Sequence, residues 1–264
     1  MTDEPNPQGI PMLSDAEIDS FITDGFVRVP GAVPRGTAEG CRTQLWEASG
    51  YSADDPGSWI EPVVRIGSMA TPAFREAANT SELHAVYDQL VGAGRWRAPL
   101  GLGTFPLRFP SEKDPGDDGW HLDAGWTAET GDYRVNLRSR GRALLMLFLF
   151  SDVGPDDAPT RIRVGSHLDL PPLLAPAGEE GRPWFPLCAE AVPLSAHRRE
   201  VAATGEAGDV YLCHPFLIHA AQKHGGDTPR FLAQPPLEPT DLLNLHGPAP
   251  SPVERAVLAG LNPL

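Results

Sequence analysis

Ser14, followed three residues later by Glu17, opens an amphipathic run from Asp15 to Thr23 that Asp24-Gly25 closes. That spacing predicts a capped helix, because the serine hydroxyl and the glutamate each satisfy a backbone N–H left free in the first turn. Phe26 to Val29 alternates up to Pro30 and predicts a short strand, while Thr37 to Ser49 returns to helical spacing. From about Leu100 the pattern changes. Short β-rich runs follow: Leu107 to Phe109, Trp120 to Asp123, Ala143 to Val153, Arg161 to Val164, Val210 to Cys213, Phe216 to Ala221 and Arg230 to Gln234. Gly, Pro and Asp clusters separate them, which predicts a mainly β antiparallel sandwich or jelly roll with flanking helices. The expected organisation is one domain over residues 1–264. It comprises a helical and mixed part over about 1–99, a jelly-roll core over about 100–237, and a Pro-rich tail ending in a helical segment, Pro252 to Leu258.

Composition narrows the function. With 264 residues and 41% apolar content, the chain can bury a sizeable core. Its 21 Lys and Arg against 35 Asp and Glu leave a formal charge of -14, which opposes binding to nucleic acid or to anionic membranes and favours a small-molecule partner. Cys41, Cys188 and Cys213 are odd in number and widely spaced, so they suggest neither a disulfide framework nor a zinc knuckle. The first residues carry acid and proline where a secretory signal has basic and then apolar residues. The longest apolar stretch, Ala143 to Phe150, is far below the roughly 20 residues of a membrane helix. A cytoplasmic location is expected.

Trp120-His121-Leu122-Asp123 carries the candidate chemistry. On a strand, residues two apart leave the same face, so His121 and Asp123 can share one ion. A third ligand must come from elsewhere, and the segment from Gly208 to His219 offers His214 and His219. Two histidines and a carboxylate hold one face of iron(II) and leave the remaining positions open. Arg230 follows His219 across a turn-forming stretch, Lys223 to Pro229. A hairpin centred near His224 and Gly225 would place residues 219 and 230 opposite one another, setting a carboxylate-binding fork beside the metal. The competing reading of Arg230 is a surface ion pair.

In motif content and order these residues resemble the phytanoyl-CoA dioxygenase family of iron(II) and 2-oxoglutarate oxygenases. The resemblance spans most of the chain: the N-terminal helix with Asp24-Gly25-Phe26-Val27, the W-H-L-D motif, Thr160 to His167, and Gly208-Asp209 leading to His219 and Arg230. It implies a double-stranded β-helix of cupin-like type, with His121, Asp123 and His219 as iron ligands and O2 as oxidant. It further implies that Arg230 grips the distal carboxylate of 2-oxoglutarate and that Thr160 lends a hydroxyl to the cosubstrate site. The implied reaction is hydroxylation of a C–H bond with release of succinate and CO2. Desaturation, cyclisation and epimerisation are open to the same radical chemistry. Two departures stand out: Asp118 where many relatives have Gln, and Val164 where many have Pro. Asp123, standing where related halogenases have Gly or Ala, disfavours halogenation.

Other residues carry narrower expectations. His214, at an odd separation from His219, is expected on the opposite face. His167 is expected to pack a loop, and His224 to face solvent. Trp120 should pack in the sandwich, and Trp126 either walls the pocket or packs in the core. Arg108, Arg134, Arg138, Arg140, Arg142, Arg161 and Arg163 cluster around the site segments, either as an anion pocket or as charged strand edges. Among them Arg108 is the candidate substrate contact, and the Asp- and Gly-rich loop from Ser111 to Gly119 has the composition of a lid. The alternatives to an oxygenase are a non-catalytic jelly-roll metal binder and a cupin-type isomerase or hydrolase.

Overall fold

The computed structural model describes residues 12–262, so the acidic, proline-bearing leader lies outside the described residues. The first helix, Asp15–Asp24, has the expected capping box: Glu17 accepts from the Ser14 amide, and Ser14 Oγ from the Glu17 amide. It ends at Gly25, whose φ of 87° is left-handed and beside which a Cβ would collide with the His167 ring. The requirement for glycine there is therefore both conformational and steric.

The chain then enters the larger of two facing sheets. Phe26–Val29 pairs with Val210–Cys213, which pairs with the central strand Leu144–Leu149, and Leu232–Ala233 and Pro236–Leu237 share that strand's other edge. All these pairs are antiparallel. The central strand is buried at every position, because alternate residues feed two apolar clusters, one under the helices and one between the sheets. The second sheet runs His219–Ala220, Thr160–Arg163, Glu200–Ala203. Val63–Ile66 pairs with Phe105–Arg108, and Trp126–Thr127, Tyr133–Val135 and Arg182–Pro183 form a small outer sheet.

Several expectations need correction. Trp120 to Asp123 is not a strand: only His121 pairs, in a single bridge whose two amides exchange hydrogen bonds with His219 at 3.0 and 2.9 Å. His219 and Arg230 are not hairpin partners, since the strand after His219 joins the second sheet and the strand after Arg230 joins the first. The stretch between them crosses from sheet to sheet, anchored where the Gly225 and Gly226 amides donate to the Asp156 carbonyl. His224 turns inward there, buried, with Nε2 2.8 Å from the Thr228 carbonyl, rather than facing solvent.

Helices Pro72–Ala78, Ser81–Val91 and Trp184–Leu194 went unread in the sequence. The Thr80 side chain, which accepts from the Leu83 amide, was a legible cap, whereas prolines 186 and 193 mask the third helix. Arg35–Ser49 and the C-terminal Pro252–Leu261 are longer than their sequence patterns indicated.

Candidate active site

His121, Asp123 and His219 converge, with one donor atom from each lying within 4.8 Å of the others. His219 arrives on the second sheet, and the backbone bridge to it carries His121 and, two residues on, Asp123. Each imidazole is oriented by its own chain. Nδ1 of His121 lies 2.8 Å from the Gly119 carbonyl, and Nδ1 of His219 lies 3.0 Å from the Leu217 carbonyl. Those carbonyls hold the proton on Nδ1 and leave the Nε2 lone pairs free, as metal ligation requires. His219 Nε2 is buried with no hydrogen-bond partner and lies 3.6 Å from Asp123 Oδ2. The motif after Thr160 braces this arrangement, since Ser166 Oγ accepts the Ile218 amide at 2.8 Å.

The electrostatics favour a cation. Burial, then the neighbouring His219, pulls the His121 pKa below its ordinary value and keeps the ring neutral. Burial works against the Asp123 charge, but the neighbouring His219, Arg142 and His121 outweigh it and hold the carboxyl far below the usual range. Two imidazoles and an ionised carboxylate, with an orphaned buried nitrogen among them, fit a divalent metal.

Beside the triad lies a cavity of about 180 Å³, whose wall includes His121, His219, Thr160, Arg108, Asp117 and Arg230. Arg230 is 1% exposed and donates Nη1 to the Ala158 carbonyl and Nη2 to the Pro106 carbonyl, leaving Nε without a partner. No carboxylate pairs with it among the described residues. Burial, then Arg108, draws its pKa down from the ordinary value, yet an arginine remains charged at neutral pH. Thr160 is 2% exposed and shares the cavity wall.

Arg108 is also buried; it donates to the Gln222 carbonyl at 3.2 Å and to Asp117 at 2.7 Å. Arg65 reaches the other Asp117 oxygen. The expected lid loop is therefore pinned over the cavity by a carboxylate held between two guanidinium groups. Burial opposes that charge, and the two arginines outweigh it, lowering the Asp117 pKa. The Asp118 carbonyl, one residue on, accepts from Arg161 at 2.9 Å.

The remaining sequence candidates lie apart from this cavity. Trp126 is half-buried under Arg140, 5.6 Å from its ring, and is not part of the cavity wall. Trp120 packs on the core and beneath Arg161 and Arg163. His214 and His167 are buried against one another, 4.9 Å between ring centroids, and bond the Val253 and Ile22 carbonyls. Sequence reasoning missed Arg65 and Asp117. It named Arg142 only as one of a group, although that side chain stands 4.0 Å from Asp123.

A family model described as phytanoyl-CoA dioxygenase (PhyH) matches residues 21–232, which include the triad and Arg230. The chain belongs to the phytanoyl-CoA dioxygenase family. As a member, it is an enzyme of the non-haem iron class that uses 2-oxoglutarate and O2. No curated protein matches it. Among solved structures, HygX from Streptomyces hygroscopicus with nickel and 2-oxoglutarate bound is 21% identical, with a TM-score of 0.55 over 85% of this chain and 86% of that one. EctD from S. alaskensis with bound Fe is 21% identical, with a TM-score of 0.57 over 84% and 75%. The carbocyclase SnoK of nogalamycin biosynthesis is 16% identical, with a TM-score of 0.54 over 87% and 94%. At these identities the likeness is one of fold, and it identifies the two facing sheets as the jelly roll of this oxygenase group.

Proposed function

We propose that His121, Asp123 and His219 hold iron(II), that Arg230 binds the distal carboxylate of 2-oxoglutarate, and that the enzyme hydroxylates a C–H bond of a small organic metabolite. The observation that carries this reading is Arg230: a buried guanidinium with no carboxylate partner, in the wall of the cavity that the two histidines also line. An isolated buried cation is unfavourable, and a planar fork suits a carboxylate in two-point contact. Iron held there would activate O2, one oxygen atom going into the substrate's C–OH and the other into the succinate formed from 2-oxoglutarate with loss of CO2.

The chain's own part is to orient and to exclude. The Gly119 and Leu217 carbonyls aim the imidazoles, Thr160 offers a hydroxyl to the cosubstrate, and the Asp117 contact with Arg65 and Arg108 closes the loop over the cavity. Water kept out of such a site neither competes for the metal nor intercepts reactive species. Arg108 in the cavity wall and Trp126 under Arg140 are the candidate substrate contacts carried over from the sequence.

Small-molecule substrates fit the relatives, since HygX has been solved with hygromycin B and SnoN with nogalamycin RO. A one-domain, cytoplasmic enzyme is supported by a core cluster drawn from Leu13 to Val257 and by three buried free cysteines. No helix among the described residues is long and apolar enough to cross a membrane.

Anaerobic protein loaded with iron(II) and 2-oxoglutarate is expected to show a weak visible charge-transfer band. Asp123→Ala and His219→Ala should lose it. A wild-type protein that binds iron but shows no band on adding 2-oxoglutarate would overturn the assignment, as would turnover that continues without 2-oxoglutarate.

A further inference from the structure

Arg142 has no carboxylate within hydrogen-bond reach among the described residues. It lies just before the central strand, its side chain is 11% exposed, and both Nε and Nη1 are buried without a hydrogen-bond partner. The nearest carboxylate oxygen recorded for it is Asp123 Oδ2, 4.0 Å from Nη1 and so beyond hydrogen-bond reach. That same oxygen is the one 3.6 Å from His219 Nε2, so it faces the position where the three donors meet. A metal bound there takes up the carboxylate's charge and leaves the guanidinium desolvated and uncompensated, an unfavourable state until an anion joins it. Arg142 is no part of the wall that carries Arg230, so it stands apart from the site assigned to the distal carboxylate of 2-oxoglutarate. In a chain of net charge -14, a cation left in this condition stands apart from the pairs that occupy most other arginines.

The ground beside Arg142 is aromatic. Tyr133, 40% exposed, is close enough that Arg142 pulls its phenol pKa down against the larger, raising effect of burial. Its ring lies 6.2 Å from that of Trp184, which in turn lies 6.4 Å from His121. Trp184 is held by its indole N–H on the Leu122 carbonyl at 2.7 Å, within the metal motif itself. Phe185, 78% exposed, adds a ring 4.8 Å from Trp184. Exposed aromatics around one convergent charge are the composition of a small-molecule site. The approach is fixed at Gly141, where a Cβ would strike the Ala124 and Gly125 carbonyls, so the backbone next to Arg142 is pressed against the segment after Asp123.

We infer that Arg142, Tyr133 and Trp184 form the prime-substrate subsite, and that the substrate is a carboxylate carried on a ring or other apolar scaffold. Its carboxylate meets Arg142 and its scaffold lies on the two aromatic rings. This rests on the assignment of Asp123 as a metal ligand.

The test uses benzoate and its neutral, isosteric counterpart benzamide. Each is titrated into the anaerobic protein saturated with iron(II) and 2-oxoglutarate, and read by the charge-transfer band and by tryptophan fluorescence. Benzoate is expected to bind saturably and at least tenfold more tightly than benzamide. Arg142→Gln should erase that preference while keeping the band, and Arg142→Lys should keep part of it. Equal binding of the two probes, no benzoate binding to the wild type, or an undiminished preference in Arg142→Gln would each overturn the inference. The wild-type comparison stands even if a variant fails to fold. Absence of the band in the wild type before any probe is added would instead overturn the metal and cosubstrate assignment, so the two failures are told apart.

Discussion

His219 and Arg230 show how much single side chains owe to the backbone around them. His219 can offer Nε2 because its Nδ1 is taken up by the Leu217 carbonyl, and Leu217 lies between the turn at 215–216 and the strand His219–Ala220 rather than in a ladder. Arg230 keeps Nε free because the Ala158 and Pro106 carbonyls hold its Nη atoms. Charge-assisted hydrogen bonds contribute about 1.5–3 kcal/mol each. Arg230→Ala is therefore expected to weaken 2-oxoglutarate binding by roughly two orders of magnitude, equivalent to about 3 kcal/mol, without abolishing metal binding. Arg230→Lys should recover part of the affinity, since an ammonium keeps the charge but loses the planar fork. Titration of 2-oxoglutarate followed by the charge-transfer band measures both. An unchanged affinity in Arg230→Ala would remove the residue from the cosubstrate site.

Among the elements, the C-terminal helix Pro252–Leu261 depends most visibly on one buried charge. Glu254 closes a capping box with Ser251 and also accepts from the Asn244 amide and from Arg95 at 2.6 Å. Burial opposes its ionisation, but Arg95 and the two backbone donors outweigh it, so its pKa lies below the ordinary value of 4.5. A carboxyl whose pKa is depressed by folding adds stability that is complete above the unfolded value and is lost as pH falls through the folded one. Glu254→Ala should destabilise the protein by about 3 kcal/mol at pH 7, in the range for breaking a buried pair. The gap to the wild type, read from denaturant midpoints, should narrow as pH falls below 4.5. A gap that stays constant down through that range would show that the charge is not responsible.

The elements also show which sequence patterns were legible. The capping box at Ser14, the strands Phe26–Val29 and Val210–Cys213 and the long apolar central strand were readable, because period and caps are local properties. The supposed hairpin was not, because a Gly- and Pro-rich stretch of that length can either turn back or cross to a facing sheet. Only the register of Leu232 opposite Leu149 and of His219 opposite Ile162 distinguishes the two.

At the scale of the whole molecule, the metal and cosubstrate are expected to act as a clasp between the sheets. His219 comes from one sheet, while Arg230 directly precedes a strand of the other. A ligand that binds only the folded state stabilises it by mass action, about 2.7 kcal/mol at a hundredfold excess over its dissociation constant. Under anaerobic conditions iron(II) should raise the melting temperature, 2-oxoglutarate should raise it further, and chelation should reverse both shifts. In Arg230→Ala the iron shift should persist while the 2-oxoglutarate shift disappears. Differential scanning fluorimetry resolves the two steps. A 2-oxoglutarate shift of equal size without metal would argue against their shared site.

The sequence by itself determined the candidate donors and their order along the chain: an imidazole and a carboxylate two residues apart, distant histidines, then an arginine, on a scaffold of short strands. Those are properties of residue type and local period, and they survived even though the segment Trp120 to Asp123 makes a single bridge at His121 rather than a strand. Only the tertiary structure decided that His219 and Arg230 reach one cavity from facing sheets, that Asp117 is clamped by Arg65 and Arg108, and that Arg142 stands 4.0 Å from Asp123. The physical reason is that these encounters depend on strand register and on where loops cross between sheets. Both are settled by burial summed over the whole core rather than by any neighbouring stretch of chain.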